Sequence, residues 1–251
     1  MLQVKHLYCG YDSTPIVKDI SFQVQEGQRL CILGPNGCGK TTLLRGIMGI
    51  LPAKGTVTLY GRALAEMSAR QKARRIALMS QLSSAYFAYT VYETVMLGRY
   101  AHQKRSAFIS ESREDRLIVQ ESLERTGIFP LKDRLITELS GGQLQRVFLA
   151  QIFAQDPQVI LLDEPTNHLD LKYQVELMDT LKEWVQKENR CVVGVLHDIN
   201  LAFSFADTVL LMEQGTVKAF EKAKDFDLSL LSETYRMDVR GYMRESLKRW
   251  R

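Results

Sequence analysis

The segment Gly34-Pro35-Asn36-Gly37-Cys38-Gly39-Lys40-Thr41 fits the pattern GxxxxGK[ST]. It stands between the apolar run Leu30 to Leu33 and the helical-looking stretch Leu43 to Met48, the strand-loop-helix setting that the pattern requires. A loop of this kind turns backbone N–H groups inward around phosphate oxygens, with the positive end of the following helix behind them. Lys40 then reaches the β and γ phosphates of a nucleotide, and the Thr41 hydroxyl can ligate Mg²⁺. A flexible loop that matches by chance is the alternative.

A second site for chemistry is the run Val159-Ile160-Leu161-Leu162-Asp163-Glu164, a buried-type strand that ends in two carboxylates. Adjacent residues of a strand alternate faces. Asp163 can therefore hold Mg²⁺ through its water shell, while Glu164 points toward an attacking water as general base or water-orienting group. Two acids at an exposed strand end are ordinary by themselves; the phosphate loop upstream is what favours catalysis. Cys38, between Gly37 and Gly39, is either a small residue filling space or a chemical handle whose thiolate the helix N-terminus favours.

The surrounding elements must place these groups. Ile20, Phe22 and Val24 alternate with polar residues, Glu26-Gly27 turns the chain into the run Leu30 to Leu33, and Thr56 to Leu59 and Ile76 to Met79 read as strands around a basic helix, Ser68 to Arg75. From Thr90 to about Gln155 the pattern is helical, with Leu144, Phe148 and Ile152 on one i, i+4 row. Strands return at Val159 to Leu162, Cys191 to Leu196 and Thr208 to Met212. The alternation predicts an α/β fold with a parallel sheet, interrupted by a helical subdomain.

Composition narrows the class. The 251 residues are 45% hydrophobic and 25% charged, and no run approaches the roughly 20 apolar residues of a membrane span. The N-terminus lacks the layout of a secretory signal, so a cytoplasmic location is expected. Cys9, Cys31, Cys38 and Cys191 form no CxxC pair and read as reduced thiols. A net charge of +4 does not argue for a nucleic-acid partner. The tail from Arg240 to Arg251 carries Arg240, Arg244, Lys248, Arg249 and Arg251 with Tyr242, Met243, Leu247 and Trp250 interleaved. It reads as a solvated terminal helix or as a membrane-surface or partner contact.

Between the two motifs stands Leu139-Ser140-Gly141-Gly142-Gln143, and the acids continue as Pro165-Thr166-Asn167-His168-Leu169-Asp170. With Tyr11 upstream, Gln81 after a strand and His197 after the last core strand, the series resembles the ATP-binding-cassette (ABC) ATPases over nearly the whole chain. The resemblance implies a P-loop NTPase (RecA-like) core with an N-terminal antiparallel β subdomain and an inserted α-helical subdomain. As one ABC ATPase domain, 1–251, it divides into a core of about 1–88 and 155–220, a helical subdomain of about 89–154 and a C-terminal helical tail, 221–251.

For the site, the resemblance implies ATP and Mg²⁺ as cofactors. Tyr11 would stack on adenine, residues 34 to 41 with Thr42 would bind phosphates, and Thr41, Gln81 and Asp163 would serve the metal. Glu164, His197, Gln81 and Lys40 would be catalytic. Asp170 would bind nucleotide, and Ser140, Gly141, Gly142 and Gln143 would meet nucleotide bound by a second copy, in a head-to-tail homodimer with ATP at its interface. The sequence departs from the family's usual residues at Cys38, Leu144 and Gln151, none of them in a catalytic role.

A nucleotide-binding domain without spans needs membrane partners to transport anything. The stretch Thr90 to Tyr100 resembles the importers of iron chelates, haem and cobalamin. The expectation is an importer ATPase at the inner face of the membrane, working with permease subunits and an external substrate-binding protein, with iron–siderophore as cargo ahead of haem or cobalamin. A soluble ABC ATPase in cofactor assembly, or an importer of another solute, is the alternative. No additional regulatory domain is expected after about Tyr235.

Overall fold

The computed structural model describes residues 1–11, 14–80, 88–103, 111–167 and 169–248. In chain order the elements are β1 (Leu2–Tyr11), β2 (Thr14–Val24), β3 (Arg29–Leu33), α1 (Lys40–Met48), β4 (Ala53–Leu59) and β5 (Arg62–Ala63), then α2 (Ala69–Ala73), β6 (Ile76–Met79), α3 (Val91–Met96), α4 (Arg113–Arg125) and α5 (Gly141–Gln155). They continue as β7 (Val159–Asp163), α6 (Leu171–Val185), β8 (Cys191–Val195), α7 (Ile199–Phe205), β9 (Thr208–Glu213), β10 (Thr216–Lys222), α8 (Ser229–Tyr235) and α9 (Val239–Leu247). Two compact units result, Met1–Ala63 with Val195–Arg251, and Leu64–Gly194.

The first unit carries an antiparallel sheet in the order β2-β1-β4-β5. Leu2 lies opposite Val24 on one side and Leu59 on the other. Ile20, Phe22 and Val24 are buried with one exposed residue between each pair, which is the period-2 pattern of a half-buried strand, and Val17 is buried beyond a register shift in the pairing with β1. A second group of strands in this unit runs β10-β9-β3. Leu30 to Leu33 pair in parallel with Thr208 to Leu211, and both strands are apolar and buried, as parallel strands covered on both faces must be.

A charged fork fastens the start of that pair. Arg29 Nη2 and Nε donate to the two Asp207 carboxylate oxygens at 2.7 and 3.0 Å, and the Arg29 N–H donates to the same carboxylate at 2.8 Å. Burial alone raises the Asp207 pKa, but the Arg29 hydrogen bonds outweigh it and hold the carboxyl below its ordinary range. The fork fixes the register of β3 and hence where the following loop begins. Strand β10, which the hydrophobic pattern did not signal, folds back on β9 through Gln214 and Gly215, both at positive φ as two-residue hairpin turns require.

In the second unit β6 and β7 pair in parallel, Ile76 with Val159 through Met79 with Leu162, and β8 follows in the order β8-β7-β6. The interval from Thr90 to Gln155 holds α3, α4 and α5 with short 3-10 turns. Their shared core contains Val91, Val95, Val119, Leu123, Ile128, Val147, Ala150 and Ala154. The stripe of α5 that enters it is Val147, Ala150 and Ala154. Of the row Leu144, Phe148 and Ile152 read from the sequence, half-buried Leu144 packs against that core, Phe148 is half-buried and Ile152 is buried. Small residues at 150 and 154 allow close helix approach, and the i, i+4 count of large side chains missed them. Among the described residues no helix is long and apolar enough to cross a membrane.

Helix α4 is anchored by a buried ion pair. Arg99 Nε donates to Asp115 Oδ1 at 2.8 Å and Arg99 Nη1 to the Ala154 carbonyl at 2.8 Å, while the Ser112 hydroxyl donates to the other Asp115 oxygen. Burial raises the Asp115 pKa, but hydrogen bonds from Arg99 and Ser112 and the guanidinium charge prevail and lower it. A carboxyl whose folded pKa lies below its unfolded value adds stability above the unfolded pKa and loses it as pH falls through the folded one. Arg99→Met strands the carboxylate and is expected to cost about 3 kcal/mol, a fall in Tm of roughly 6–12 °C at pH 7. Calorimetry across pH should show that deficit shrinking toward pH 4, and adding Asp115→Leu should restore most of the lost stability. A deficit independent of pH would assign the loss to packing.

Candidate functional site

The phosphate loop belongs to the first unit and begins where β3 ends. Gly34 has φ 150°, and a Cβ there would run into the Met212 carbonyl, so only glycine fits between the loop and β9. Gly37 (φ 78°) faces open space and Gly39 (φ 104°) is the N-cap of α1. No side chain caps that N-cap, so the first N–H groups of α1 keep the partial positive charge of a helix N-terminus for an anion. Lys40 is only 5% exposed, and its ammonium donates to two neutral acceptors, the carbonyls of Gly34 at 2.7 Å and Pro35 at 3.0 Å. Thr42 is buried behind it.

Neighbours hold the loop in place. The Gly215 N–H donates to the Cys38 carbonyl at 3.0 Å, the Lys18 N–H donates to the Gly215 carbonyl at 2.7 Å, and the Gly34 N–H donates to the Tyr235 hydroxyl at 3.1 Å. Sequence reasoning did not find Gly215 or Tyr235, because nothing local marks a partner so distant in the chain. The Cys38 thiol is buried, and burial pushes its pKa up against the pull of the Lys40 ammonium and backbone N–H groups. The thiolate expected from the helix N-terminus is therefore not favoured: loss of hydration outweighs the dipole.

Tyr11, at the end of β1, is 44% exposed, and its hydroxyl accepts from Arg45 Nη1 at 2.7 Å, which tethers an open ring face to α1. His197 follows β8 and is exposed. Asp198 beside it caps α7, accepting from the Leu201 N–H at 2.9 Å.

The second unit carries the acids and the glycine-rich helix start. Strand β7 is buried along its whole length and ends in Asp163, itself 4% exposed. Glu164 takes φ 56°, a left-handed conformation that costs a non-glycine residue about 1 kcal/mol or more. The backbone turn swings its carboxylate out of the strand register. Asn167 Nδ2 donates to Glu164 Oε2 at 2.7 Å and thereby fixes the carboxylate. Asn167 stood in the sequence motif without a role; its spacing of three from an acid is the signal that could have found it.

Ser140 N-caps α5 in a capping box. Its hydroxyl accepts from the Gln143 N–H at 3.3 Å and Gln143 Oε1 accepts from the Ser140 N–H at 2.9 Å. Gly141 faces open space, and Gly142 packs toward Leu169 and Tyr173. Asp170 caps α6 by accepting from the Tyr173 N–H at 3.1 Å. Arg146 lies 4.6 Å over the Tyr173 ring. Gln81, expected near metal and water, and His168 lie outside the described residues.

Mg²⁺ takes oxygen donors. Among the described residues no group of three or more His, Cys, Asp and Glu side chains could hold a metal alone. Mg²⁺ needs no such cage, because it takes one or two protein oxygens and completes its shell with water and substrate phosphates. Thr41 and Asp163 are oxygen donors of that kind.

The chain matches the family described as ABC transporter over residues 17–167. It is 41% identical to the uncharacterized ABC transporter ATP-binding protein YvrA of Bacillus subtilis (strain 168) over 88% of its own length, and spans 50% of that relative. It is 38% identical to the iron(3+)-hydroxamate import ATP-binding protein FhuC of the same strain, over 86% of this chain and 80% of the relative. Among solved structures, the dimeric ATP-binding cassette MJ0796 bound to ADP and Pi superposes with a TM-score of 0.77 at 28% identity, over 90% of this chain and 100% of that one. A family match over more than half of the chain, on a fold that carries the phosphate loop, the paired acids and the capped glycine-rich helix, leads to one conclusion: the chain belongs to the ABC transporter family, as one of its ATP-hydrolysing ATP-binding domains.

Proposed function

We propose that the chain is the ATP-hydrolysing subunit of an importer for an iron chelate, with iron–siderophore as cargo ahead of haem or cobalamin. The observation that carries the nucleotide part is the Lys40 ammonium, buried in the glycine-rich loop and donating to two neutral carbonyls. ATP would exchange those carbonyls for its β and γ phosphates, while the N-terminus of α1 receives negative charge. Tyr11 offers adenine its exposed ring. Thr41, Asp163 and Gln81 are the residues assigned to Mg²⁺, which when bound neutralises charge between the β and γ phosphates.

Glu164 is assigned the proton of the attacking water, held by Asn167 in a fixed orientation. His197 is assigned to the γ-phosphate. Asp170 is assigned to nucleotide, and Ser140, Gly141, Gly142 and Gln143 to nucleotide bound by a second copy in a head-to-tail dimer. The dimeric cassette with ADP and Pi supports that reading, as does the capping box, which shapes the start of α5 without using the Gly141 or Gly142 side of the turn.

Cargo and membrane partners rest on the import relative and on the stretch Thr90 to Tyr100. That stretch forms α3 and a following 3-10 turn, with Leu97 and Tyr100 exposed. We place the subunit at the cytoplasmic face of the membrane, bound to permease subunits that receive chelate from an external substrate-binding protein. Residues 89–154 would form the helical subdomain that meets the permease.

Glu164→Gln keeps the shape of the side chain and loses its basicity. ATP hydrolysis is expected to fall about 10²- to 10⁴-fold with ATP binding intact. Because ATP then persists, gel filtration with saturating ATP should show a dimer. A monomer under those conditions counts against the sandwich.

For the cargo, deletion of the gene should abolish uptake of one labelled iron chelate and spare free amino acids and sugars. Normal uptake of every iron chelate, haem and cobalamin alongside a defect in another solute would sink the cargo assignment and leave the ATPase untouched. No transport defect at all would favour the soluble ATPase.

A further inference from the structure

We propose that Tyr235 is a positioning residue for nucleotide binding, its hydroxyl fixing the first peptide of the phosphate loop through the Gly34 N–H. The inference rests on the nucleotide reading above and adds a residue to it.

Gly34 is held at both ends. Its N–H donates to the Tyr235 hydroxyl at 3.1 Å, and its carbonyl accepts from Lys40 Nζ at 2.7 Å. Position 34 must be glycine, since φ is 150° and a Cβ would meet the Met212 carbonyl and lie 2.8 Å from the Cys38 sulfur. The residue that sterics demand is also the one with the weakest preference for any backbone orientation. Its orientation must come from partners.

One of those partners leaves when the site is used. As the Lys40 ammonium turns to phosphate, it releases the carbonyls of Gly34 and Pro35. The Tyr235 hydroxyl has no part in the phosphate contact and stays, so among the described contacts it becomes the remaining side-chain hold on Gly34. If the Leu33–Gly34 peptide rotates, a buried N–H loses its acceptor and the mouth of the loop moves where a phosphate must lie.

The fold prepares the phenol for this. Tyr235 is the last residue of α8, which is seated through buried Leu231 and Thr234. The helix is closed by Arg236 at φ 55° and by the Met237 N–H donating to the Ser232 carbonyl at 3.1 Å. Burial raises the pKa of the phenol, so its oxygen remains a neutral acceptor throughout the physiological range.

The test is Tyr235→Phe in the full chain, which keeps the ring and removes only the acceptor. KM for MgATP in steady-state hydrolysis and Kd for ATP in EDTA by calorimetry should both rise about fivefold, the worth of one neutral hydrogen bond. kcat should change less than about twofold, and Tm of the nucleotide-free protein less than about 3 °C. Tyr242→Phe, at an exposed tyrosine of α9, should move none of these. A Tyr235→Phe protein that loses Tm while KM and Kd stay within 1.5-fold of the parent, or that matches the parent throughout, would overturn the proposal alone. A parent chain that binds no ATP would overturn the nucleotide reading and this proposal with it.

Discussion

A loop that turns its own amide groups toward an anion cannot use them to hold its own shape. That constraint organises the first unit. The phosphate loop has three glycines at positive φ and few bonds within itself, so its form is imposed from outside. Below it, the Arg29–Asp207 fork sets where β3 starts and therefore where the loop opens. Beside it, the Met212 carbonyl closes the space a side chain would need, and Gly215 and Tyr235 take the polar groups that the loop does not present to phosphate. Residues from β2 to α8 thus share the making of one short loop.

The second unit solves the complementary problem for carboxylates, which must be aimed. Strand β7 has no exposed residue and gives Asp163 a rigid base. Glu164 gains its direction from an unfavourable backbone conformation and its steadiness from Asn167, so strain and a hydrogen bond act as a pair. The start of α5 is shaped on the same principle: a side chain box terminates the helix, and the glycines that follow are left without bulk.

Features that depend on neighbouring residues were legible in the sequence. Leu30 to Leu33, Val159 to Leu162 and Cys191 to Val195 are apolar runs with no other reading than buried strands, and all are buried. The helix after Lys40 was legible in the same way. What was not legible depends on distance or on burial. The Tyr235 contact spans 201 positions. Strand β10 buries only Ala219 fully, so its hydrophobic pattern is faint, and a Gln-Gly turn is a weaker sign than Asn-Gly. The sequence left two readings of Cys38 open, because a helix dipole can be inferred from sequence while the desolvation that opposes it cannot.

That buried thiol has a consequence for how the loop meets oxidants. Oxidants attack cysteine chiefly as its anion. Burial holds the Cys38 thiol protonated, and it does the same for Cys9, pushed up to about 11, and Cys191, pushed up to about 12. Cys31, wholly buried in β3, is raised further still. A cysteine can therefore sit in the middle of the phosphate loop as a compact apolar filler without making the ATPase a target for oxidants.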